Sequence, residues 1–446
     1  MINKAFTNSL TYRQYIKYLI PSVISMIFLS FYTTIDGYFV SHYVNADALA
    51  AINIVVPITC LFFGVSVMMA TGSGAIIGIR QGRGDKKQAM ELFSFITLVM
   101  VFIAIVLTLF CYIFLDEILA LSGSTPRLDP YTRPYGFWTV MMIPAMVFKL
   151  YFEYYTRIDG HPKMGMFMSF LGLIMNLILD WLFIALLDMG ITGAGLGTAL
   201  SMYISAFAGL YHFTRGHSNL KFIKPVVEFK ALLHSCSNGI SEMMTELSTG
   251  ITTLLFNLAL LKYAGENGVA AMSIITYFYY FFTSLFFGIT TAGQPIISYN
   301  VGAENHKKLH EIVKQSFISI VISAVAIVSI CWIFTNGLVH IFSEDPAVNS
   351  IAIAGFKLFT LTFVLCGFNI FISGYFTAIG NGALSALVSF CRSLIFVVIF
   401  LVTLPKFFDL SGVWLTNPMA ELMTFIIAIP LFMKHNTSTI GKHLND

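Results

Sequence analysis

Long apolar stretches, each about as long as a membrane-spanning helix, recur along the whole chain of 446 residues. A helix crosses the hydrocarbon core of a bilayer when about 20 consecutive residues are mostly apolar. Twelve windows meet this condition, at residues 15–41, 48–72, 92–115, 133–155, 164–187, 192–213, 235–261, 268–294, 315–338, 348–376, 384–404 and 411–433. They lack the alternation of outer-membrane β-strands, so the sequence predicts an all-α integral membrane protein with twelve transmembrane helices.

The composition excludes other classes of protein. Hydrophobic residues make up 57% of the chain and charged residues only 11%, whereas a soluble domain carries about 25% charged residues. Intrinsic disorder is excluded, because it needs low hydrophobicity and high charge. A net charge of +3 is too small to indicate nucleic-acid binding. We therefore expect a lipid bilayer around the chain, with no nucleic acid, no cofactor and no obligate protein partner.

Basic residues give the predicted orientation. With a cytoplasmic N-terminus, 18 of the 25 Lys and Arg residues fall in cytoplasmic segments and five fall outside. Cytoplasmic loops carry such an excess, so both termini are predicted to be cytoplasmic. The remaining two, Lys149 and Arg392, lie within spans, and we expect them to snorkel towards the cytoplasmic headgroups. The pattern suits a multi-pass protein of a bacterial plasma membrane.

The two halves of the chain repeat each other. GAIIGIRQGRGDKK at 74–87 aligns with QPIISYNVGAENHK at 294–307 at an offset of 220, and ITGAGLGT at 191–198 aligns with LSGVWLTN at 410–417 at an offset of 219. Six spans per half give both halves one orientation, an arrangement common in secondary transporters with the substrate between the halves. We predict an N-terminal lobe at 1–213, a cytoplasmic linker at 214–234 and a C-terminal lobe at 235–446, around a central cavity.

Polar side chains in the first half form a candidate site. Asp36 lies deep in the first span, beyond Pro21, which should bend that helix. Asn176 and Asp180 share one face of the fifth span, and Thr198 opens the sixth span among glycines that allow close helix packing. An acid at the centre of a membrane helix costs roughly 2.5–3.5 kcal/mol, so each acid is a functional candidate.

The repeat provides an internal comparison for this site. Phe256 stands at the position equivalent to Asp36, and the equivalents of Asn176 and Asp180 are apolar. If the acids only joined helices, the second half would need similar groups. The asymmetry favours a cation or proton bound in the first half, with a helix anchor as the alternative for either acid alone.

The second half carries acids of its own. Glu242 and Glu246 lie one turn apart in the seventh span, and Glu421 lies in the twelfth. They are candidates for attracting a cationic substrate. The alternative for the first pair is a partly solvated position in an inner vestibule.

These features together resemble the MATE (multidrug and toxic compound extrusion) family over essentially the whole chain. The resemblance rests on the two parallel six-span halves, Pro21 and Asp36 in the first span, the GRGD loop at 82–85, its GAE counterpart at 302–304 and the stretch DALAAINIVVPI at 47–58. It implies export of drug-like, often cationic amphiphiles, driven by inward movement of Na⁺ or H⁺. For branches of the DinF and MepA types, it implies that Asp36, Asn176, Asp180 and Thr198 form the cation site.

The sequence therefore predicts a secondary active efflux transporter rather than an enzyme, which works by alternating access and couples to Na⁺ or H⁺. Two alternatives remain. A lipid-linked precursor flippase of the same superfamily would be expected to have extra spans and a basic cavity. An intramembrane aspartyl protease would use Asp36 and Asp180 as an acid dyad, but its expected GxGD motif is absent at Asp180, which lies in LILDW.

Overall fold

The computed structural model describes residues 4–7, 10–44, 46–216 and 218–441, and this part of the chain contains helices and no β-strand. The helices are α1 (Lys4–Thr7), α2 (Tyr12–Tyr43), α3 (Ala46–Gly82), α4 (Lys86–Ile113), α5 (Leu115–Leu121), α6 (Asp129–Ile158), α7 (Pro162–Asp180), α8 (Gly190–Arg215), α9 (Phe229–Gly302), α10 (His306–His340), α11 (Pro346–Phe359), α12 (Thr362–Ala378), α13 (Gly382–Phe390), α14 (Phe396–Thr403) and α15 (Pro405–Gly441). Two π-helical segments, Trp181–Leu186 and Cys391–Ile395, join α7 to the turn before α8 and α13 to α14.

Ten of the described helical segments are long and apolar enough to cross a membrane, and α11 with α12 makes an eleventh span bent by 50°. As one straight helix, the 74 residues of α9 would extend about 110 Å, far more than the ~30 Å of hydrocarbon core. α9 instead breaks at Gly265, where φ is 63° and ψ is −158°. Counted as a first arm (229–264) and a second arm (266–302), it brings the spans to the predicted twelve. The prediction of an all-α, multi-span membrane protein is confirmed.

The sequence repeat is also present in the backbone. Three pairs of residues with positive φ are separated by 220 or 221 positions: Gly84 with Glu304, Gly160 with Gly380, and Asp188 with Asp409. Positive φ is uncommon outside glycine, so its recurrence at both aspartates, with φ of 50° and 48°, indicates that the repeat extends to the backbone of these turns.

The buried apolar side chains form two separate cores. One core is built from residues between Phe39 and Leu220, and the other is built mainly from residues between Phe256 and Phe432. The second core also contains Phe6, Tyr15, Tyr18 and Leu19. The beginning of the chain, which the predicted boundary assigns to the N-terminal lobe, thus packs against residues of the second half.

α2 lies between the two halves. The ring of Phe28 is centred 5.7 Å from that of Phe170 in α7, and the ring of Phe31 is centred 5.7 Å from that of Phe281 in α9. A change in the shape of α2 would therefore alter its contacts with both halves.

The halves also meet where α3 crosses α9. A Cβ atom at Gly82 would collide with the carbonyl oxygen of Tyr299, and one at Gly302 would collide with the carbonyl oxygen of Ile79. The contact is symmetric in the repeat. Ile79 is equivalent to Tyr299, and Gly82 is equivalent to Gly302, at the offset of 220 positions. The crossing brings the ends of α3 and α9 together at the face that the charge pattern predicts to be cytoplasmic.

Candidate cation site

Three of the four predicted site residues lie together inside the first half. Asn176 and Asp180 are fully buried, and Thr198 is 6% exposed. The spacing of four residues places Asn176 and Asp180 on one face of α7. Nδ2 of Asn176 donates a hydrogen bond to Oγ1 of Thr198 at 3.5 Å, which joins α7 to α8. Carboxylate, amide and hydroxyl groups thus converge between two helices, in a chemistry suited to a hard cation or a proton.

α8 approaches Asp180 closely because residue 197 is a glycine. A Cβ atom at this position would lie 2.6 Å from Oδ1 of Asp180 and 3.4 Å from its backbone nitrogen. A larger side chain would have to displace the carboxylate, since a heavy atom cannot approach an oxygen so closely. The close helix packing predicted from the glycines is confirmed here, and it brings Thr198 to the side of α7 that carries Asp180.

The helix changes its hydrogen-bonding pattern directly after Asp180. α7 ends at this residue and the chain continues as a π-helix, Trp181–Leu186. At its end the N–H of Leu187 donates to the carbonyl oxygen of Leu182 at 2.9 Å. Short π-helical turns are rare and occur frequently at functional sites. The π-helical turn therefore makes the end of α7, at Asp180, a candidate functional position.

Pro21 lies within α2, immediately after an anchored segment. Before the proline, the hydroxyl of Tyr15 is 2.6 Å from Oγ of Ser316 in α10. The ring of Pro21 removes one helical N–H donor, and Oγ of Ser25 donates to the carbonyl oxygen of Pro21 at 2.9 Å. Asp36 belongs to α2 beyond this point, and its side chain lies outside the described residues. The predicted bend thus falls between the anchored start of α2 and the part that carries Asp36.

Glu421 is paired inside the second half. The residue is 3% exposed, its Oε1 accepts a hydrogen bond from Nη2 of Arg392 at 3.0 Å, and its Oε2 accepts one from Nδ2 of Asn369 at 2.7 Å. Arg392 is only 7% exposed, so the prediction that it snorkels is wrong. The physical reason is the buried carboxylate, which gives the guanidinium a partner away from the headgroups. Because this pairing neutralises Glu421, the predicted attraction of substrate is left to the other two glutamates.

Glu242 and Glu246 have a different environment. Both are half-buried on the first arm of α9. Among the described residues, no Lys, Arg or His forms an ion pair within 4.0 Å of either carboxylate. The Cβ atom of Glu246 lies 3.7 Å from the position that a Cβ atom of Gly64 in α3 would take. The pair thus places two acidic side chains where α9 of the second half faces α3 of the first half.

Sequence reasoning missed a charged row on α6. Nζ of Lys149 lies 2.9 Å from Oε2 of Glu153, and Nη2 of Arg157 lies 2.9 Å from Oε1 of the same carboxylate. None of the three is more than 3% exposed, so the prediction that Lys149 snorkels is also wrong. The signal was available in the sequence, because residues at i, i+4 and i+8 share one face of a helix.

The turn between α6 and α7 holds the linker through one carboxylate. Oδ2 of Asp159 lies 2.7 Å from Nδ1 of His161 and 3.0 Å from Nε2 of His212. Oδ1 accepts hydrogen bonds from Oγ of Ser218 at 2.9 Å and from the N–H of Leu220 at 2.7 Å. Burial favours a higher pKa for Asp159, but these hydrogen bonds outweigh it and hold the pKa below its ordinary value. We call this group the Asp159 clamp.

The side chains of the Asp159 clamp could in principle hold a metal ion. The ligand atoms of Asp159, His161 and His212 lie within 4.8 Å of one another, and no other group of His, Cys, Asp and Glu in the described ranges does so. Both carboxylate oxygens already accept hydrogen bonds from the histidines and the linker. The arrangement therefore holds the linker without needing an ion.

Comparison with known proteins agrees with this architecture. The profile of the family described as MatE matches residues 21–182 and 243–403. The multidrug export protein MepA of Staphylococcus haemolyticus (strain JCSC1435) is 22% identical over 440 residues, which cover 98% of this chain and 97% of that protein. A crystal structure of MATE in complex with MaL6 has a TM-score of 0.93 at 20% identity, over 98% of this chain and 99% of that one. An outward-facing multidrug resistance MATE transporter of the MOP superfamily has a TM-score of 0.92 at 20% identity, over 99% and 100%.

Proposed function

The chain belongs to the MatE family of transporters, and we propose that it exports drug-like, cationic amphiphilic compounds in exchange for Na⁺ or H⁺ by alternating access. It is a multi-pass membrane protein and a transporter rather than an enzyme, which removes the aspartyl protease alternative. The name of the staphylococcal relative, a multidrug export protein, supports the proposed substrate class. We place the protein in a bacterial plasma membrane, with both termini cytoplasmic.

The observation that carries the proposal is the buried group of Asn176, Asp180 and Thr198. Burying an acid inside a membrane protein is costly, and an acid found there is therefore a functional candidate. The carboxylate of Asp180 lies in this group within reach of Gly197 on α8, beside the amide of Asn176 and the hydroxyl of Thr198, and we propose that a cation or proton from outside the protein binds there.

In the proposed cycle, a Na⁺ ion or proton enters from the outside and neutralises Asp36 and Asp180. α2 then bends near Pro21, because its start is fixed to α10 while the part beyond the proline is free of that anchor. Bending reduces the cavity between the halves and displaces the substrate outwards. Coupling requires that ion and substrate bind the two conformations with different affinity.

Glu242 and Glu246 supply the proposed attraction for the substrate. Half-buried carboxylates between apolar walls concentrate cations, because the low dielectric around them screens their charge weakly. Their position at the contact of α3 with α9 would expose them to the space that opens and closes between the halves. Neutral or anionic amphiphiles of similar size would lack this contribution.

The proposal is tested by transport into proteoliposomes of a fluorescent organic cation, with a Na⁺ gradient and a pH gradient imposed separately. We expect one gradient to drive transport by the wild-type chain and Asp180→Asn to reduce that gradient-driven rate by at least tenfold. Asp116→Asn, which changes an exposed aspartate of α5, is the matched control and should transport normally. Wild-type rates in the Asp180→Asn variant would refute the coupling role. Movement of a lipid-linked precursor, with no competition by drugs, would instead indicate the flippase.

A further inference from the structure

A groove of about 470 Å³ runs along the outer surface of the second half, between α10 and α15. Its walls are apolar and consist of Val313, Phe317, Ile318, Val321, Ile322 and Phe432. The ring of Phe432 lies 5.5 Å from that of Phe317, which closes the floor of the groove. Ile318, Val321 and Ile322 are 40–55% exposed. The other side of α10 carries Ser316, which contacts Tyr15 of α2 between the halves, so the groove faces away from that space and towards the bilayer.

One end of the groove is basic. His310 and Lys314 complete its lining, are both exposed, and lie one turn apart on α10. The nearest acid of this helix does not neutralise them, because Oε1 of Glu311 lies 3.2 Å from Nζ of Lys308 and accepts a hydrogen bond from the N–H of Leu10 at 2.6 Å. The basic pair is thus available to an anion that lies at the mouth of the groove.

The dimensions match one leaflet of a membrane. The apolar wall from Val313 to Ile322 rises about 14 Å along α10, and one half of the hydrocarbon core is about 15 Å thick. The basic pair then lies at the depth of the headgroups. In the predicted orientation, the headgroups beside this basic pair belong to the cytoplasmic leaflet. Anionic lipids are concentrated in that leaflet and bind to basic pockets between membrane spans.

The first half lacks this combination. At the offset of 220, the positions equivalent to His310 and Lys314 hold Met90 and Ser94. Packing of the repeated helices therefore does not require the basic pair, and its presence on one half needs another explanation.

We propose that the groove binds an anionic phospholipid of the cytoplasmic leaflet, with its phosphate beside His310 and Lys314 and one acyl chain along α10 and Phe432. The proposal is independent of the transported substrate and of the coupling ion. A lipid is the expected ligand because the groove is apolar and open to the bilayer. An anionic headgroup is expected because the end of the groove at His310 and Lys314 is basic.

The test is native mass spectrometry of the full chain in detergent, with equal amounts of phosphatidylglycerol and phosphatidylcholine added. We expect the wild-type chain to retain phosphatidylglycerol several-fold better, since a basic residue near the headgroups contributes roughly fivefold in affinity. His310→Gln with Lys314→Gln should abolish that preference. Lys163→Gln, at an exposed lysine of α7 on the same predicted face, is the matched control and should keep it.

Val321→Trp provides a second variant, which fills the groove but leaves both basic side chains in place. It should lower retention of both lipids, because the acyl chain loses its site. Equal retention of the two lipids by the wild-type chain, or an unchanged preference in the double variant, would overturn the proposal. Displacement of the lipid by excess inorganic phosphate, or a dimer that Val321→Trp dissociates without any loss of lipid, would overturn it as well.

Discussion

Gly82 and Gly302 form a reciprocal contact between the halves. Gly82 lies against the carbonyl oxygen of Tyr299, one turn before Gly302, and Gly302 lies against the carbonyl oxygen of Ile79, one turn before Gly82. Only the absence of a side chain at both positions permits the backbones to approach so closely. The residues are equivalent in the repeat, so the contact lies on the axis that relates the two halves. It closes the bundle at the face predicted to be cytoplasmic, which corresponds to an outward-facing state in the proposed cycle.

Gly302→Ala should weaken this closed face. The added methyl group would collide with the carbonyl oxygen of Ile79, and the two helix ends would have to separate. Spin labels at positions 87 and 307, which are equivalent exposed lysines of the two halves, should report a longer distance in this variant. Gly337→Ala is the matched control, because a Cβ atom there has no neighbour within 4 Å. An unchanged distance distribution in Gly302→Ala would contradict the role of this contact in closing that face.

Gly197→Ala should impair the candidate cation site directly. The new Cβ atom would lie 2.6 Å from Oδ1 of Asp180 and force the carboxylate to move. We expect at least a tenfold loss of gradient-driven transport, measured in proteoliposomes, with the protein still folded in detergent. Gly172→Ala is the control, because its Cβ atom would meet Ser205 at an ordinary 3.5 Å. Equal transport by the two variants would show that the position of the Asp180 carboxylate is unimportant.

Local periodicity explains what the sequence could predict. The spans follow from runs of apolar residues, and the shared face of Asn176 and Asp180 follows from their spacing on one helix. The same spacing rule places Lys149, Glu153 and Arg157 on one face of α6. The prediction that Lys149 snorkels is wrong because it left out Glu153, which lies between the two basic residues.

Contacts between distant helices could not be predicted in this way. Glu421 and Arg392 are 29 positions apart on separate spans, and a sequence does not reveal how two spans are rotated about their axes. The Asp159 clamp joins residues 59 to 61 positions apart through a turn and a linker that have no periodic pattern. Packing of the first residues into the second core depends on the same non-local geometry.

Glu153→Gln should destabilise the first half strongly. It would leave Lys149 and Arg157 as buried cations without their shared carboxylate, and breaking a buried pair in this way costs about 3–5 kcal/mol. The measurement is thermal unfolding of the purified chain in detergent, where a marked fall in the midpoint temperature is expected. Glu117→Gln at an exposed glutamate of α5 should have no effect. A normal midpoint in Glu153→Gln would mean that the row of charges is already open to water.

The Asp159 clamp should weaken as the pH rises above neutrality. The hydrogen bond with Asp159 raises the pKa of His161 above its ordinary 6.5, so this contribution is complete below pH 6.5 and is lost as the pH rises through the raised pKa. The lowered pKa of Asp159 affects stability only at acidic pH. The contribution of Asp159 to the stability of the clamp is complete above about pH 3.8 and is lost as the pH falls through the lowered pKa. Hydrogen exchange in residues 218–228, corrected for the intrinsic rate, should therefore increase between pH 6.5 and pH 9.

Two variants separate the groups of the clamp. His161→Gln should make exchange of the linker nearly independent of pH in this range, whereas Asp159→Asn should raise it at every pH. His340→Gln, at the far end of α10, should leave the pH dependence as in the wild-type chain. If His161→Gln retains the full dependence, another group titrates and the assignment to His161 is wrong.

Arg392 and Glu421 should be strongly coupled in a double-mutant cycle. Glu421→Met leaves a buried guanidinium without its carboxylate, and Arg392→Met leaves the carboxylate with only the amide of Asn369. Each single change should lower the unfolding midpoint markedly, whereas the double change to methionine should recover most of the loss, because well-packed apolar residues can replace a buried ion pair. If the pair is structural, the double variant will also export the fluorescent cation at close to the wild-type rate. A stable double variant that no longer transports would show instead that these charges take part in the cycle, and would place a second functional site in the C-terminal lobe.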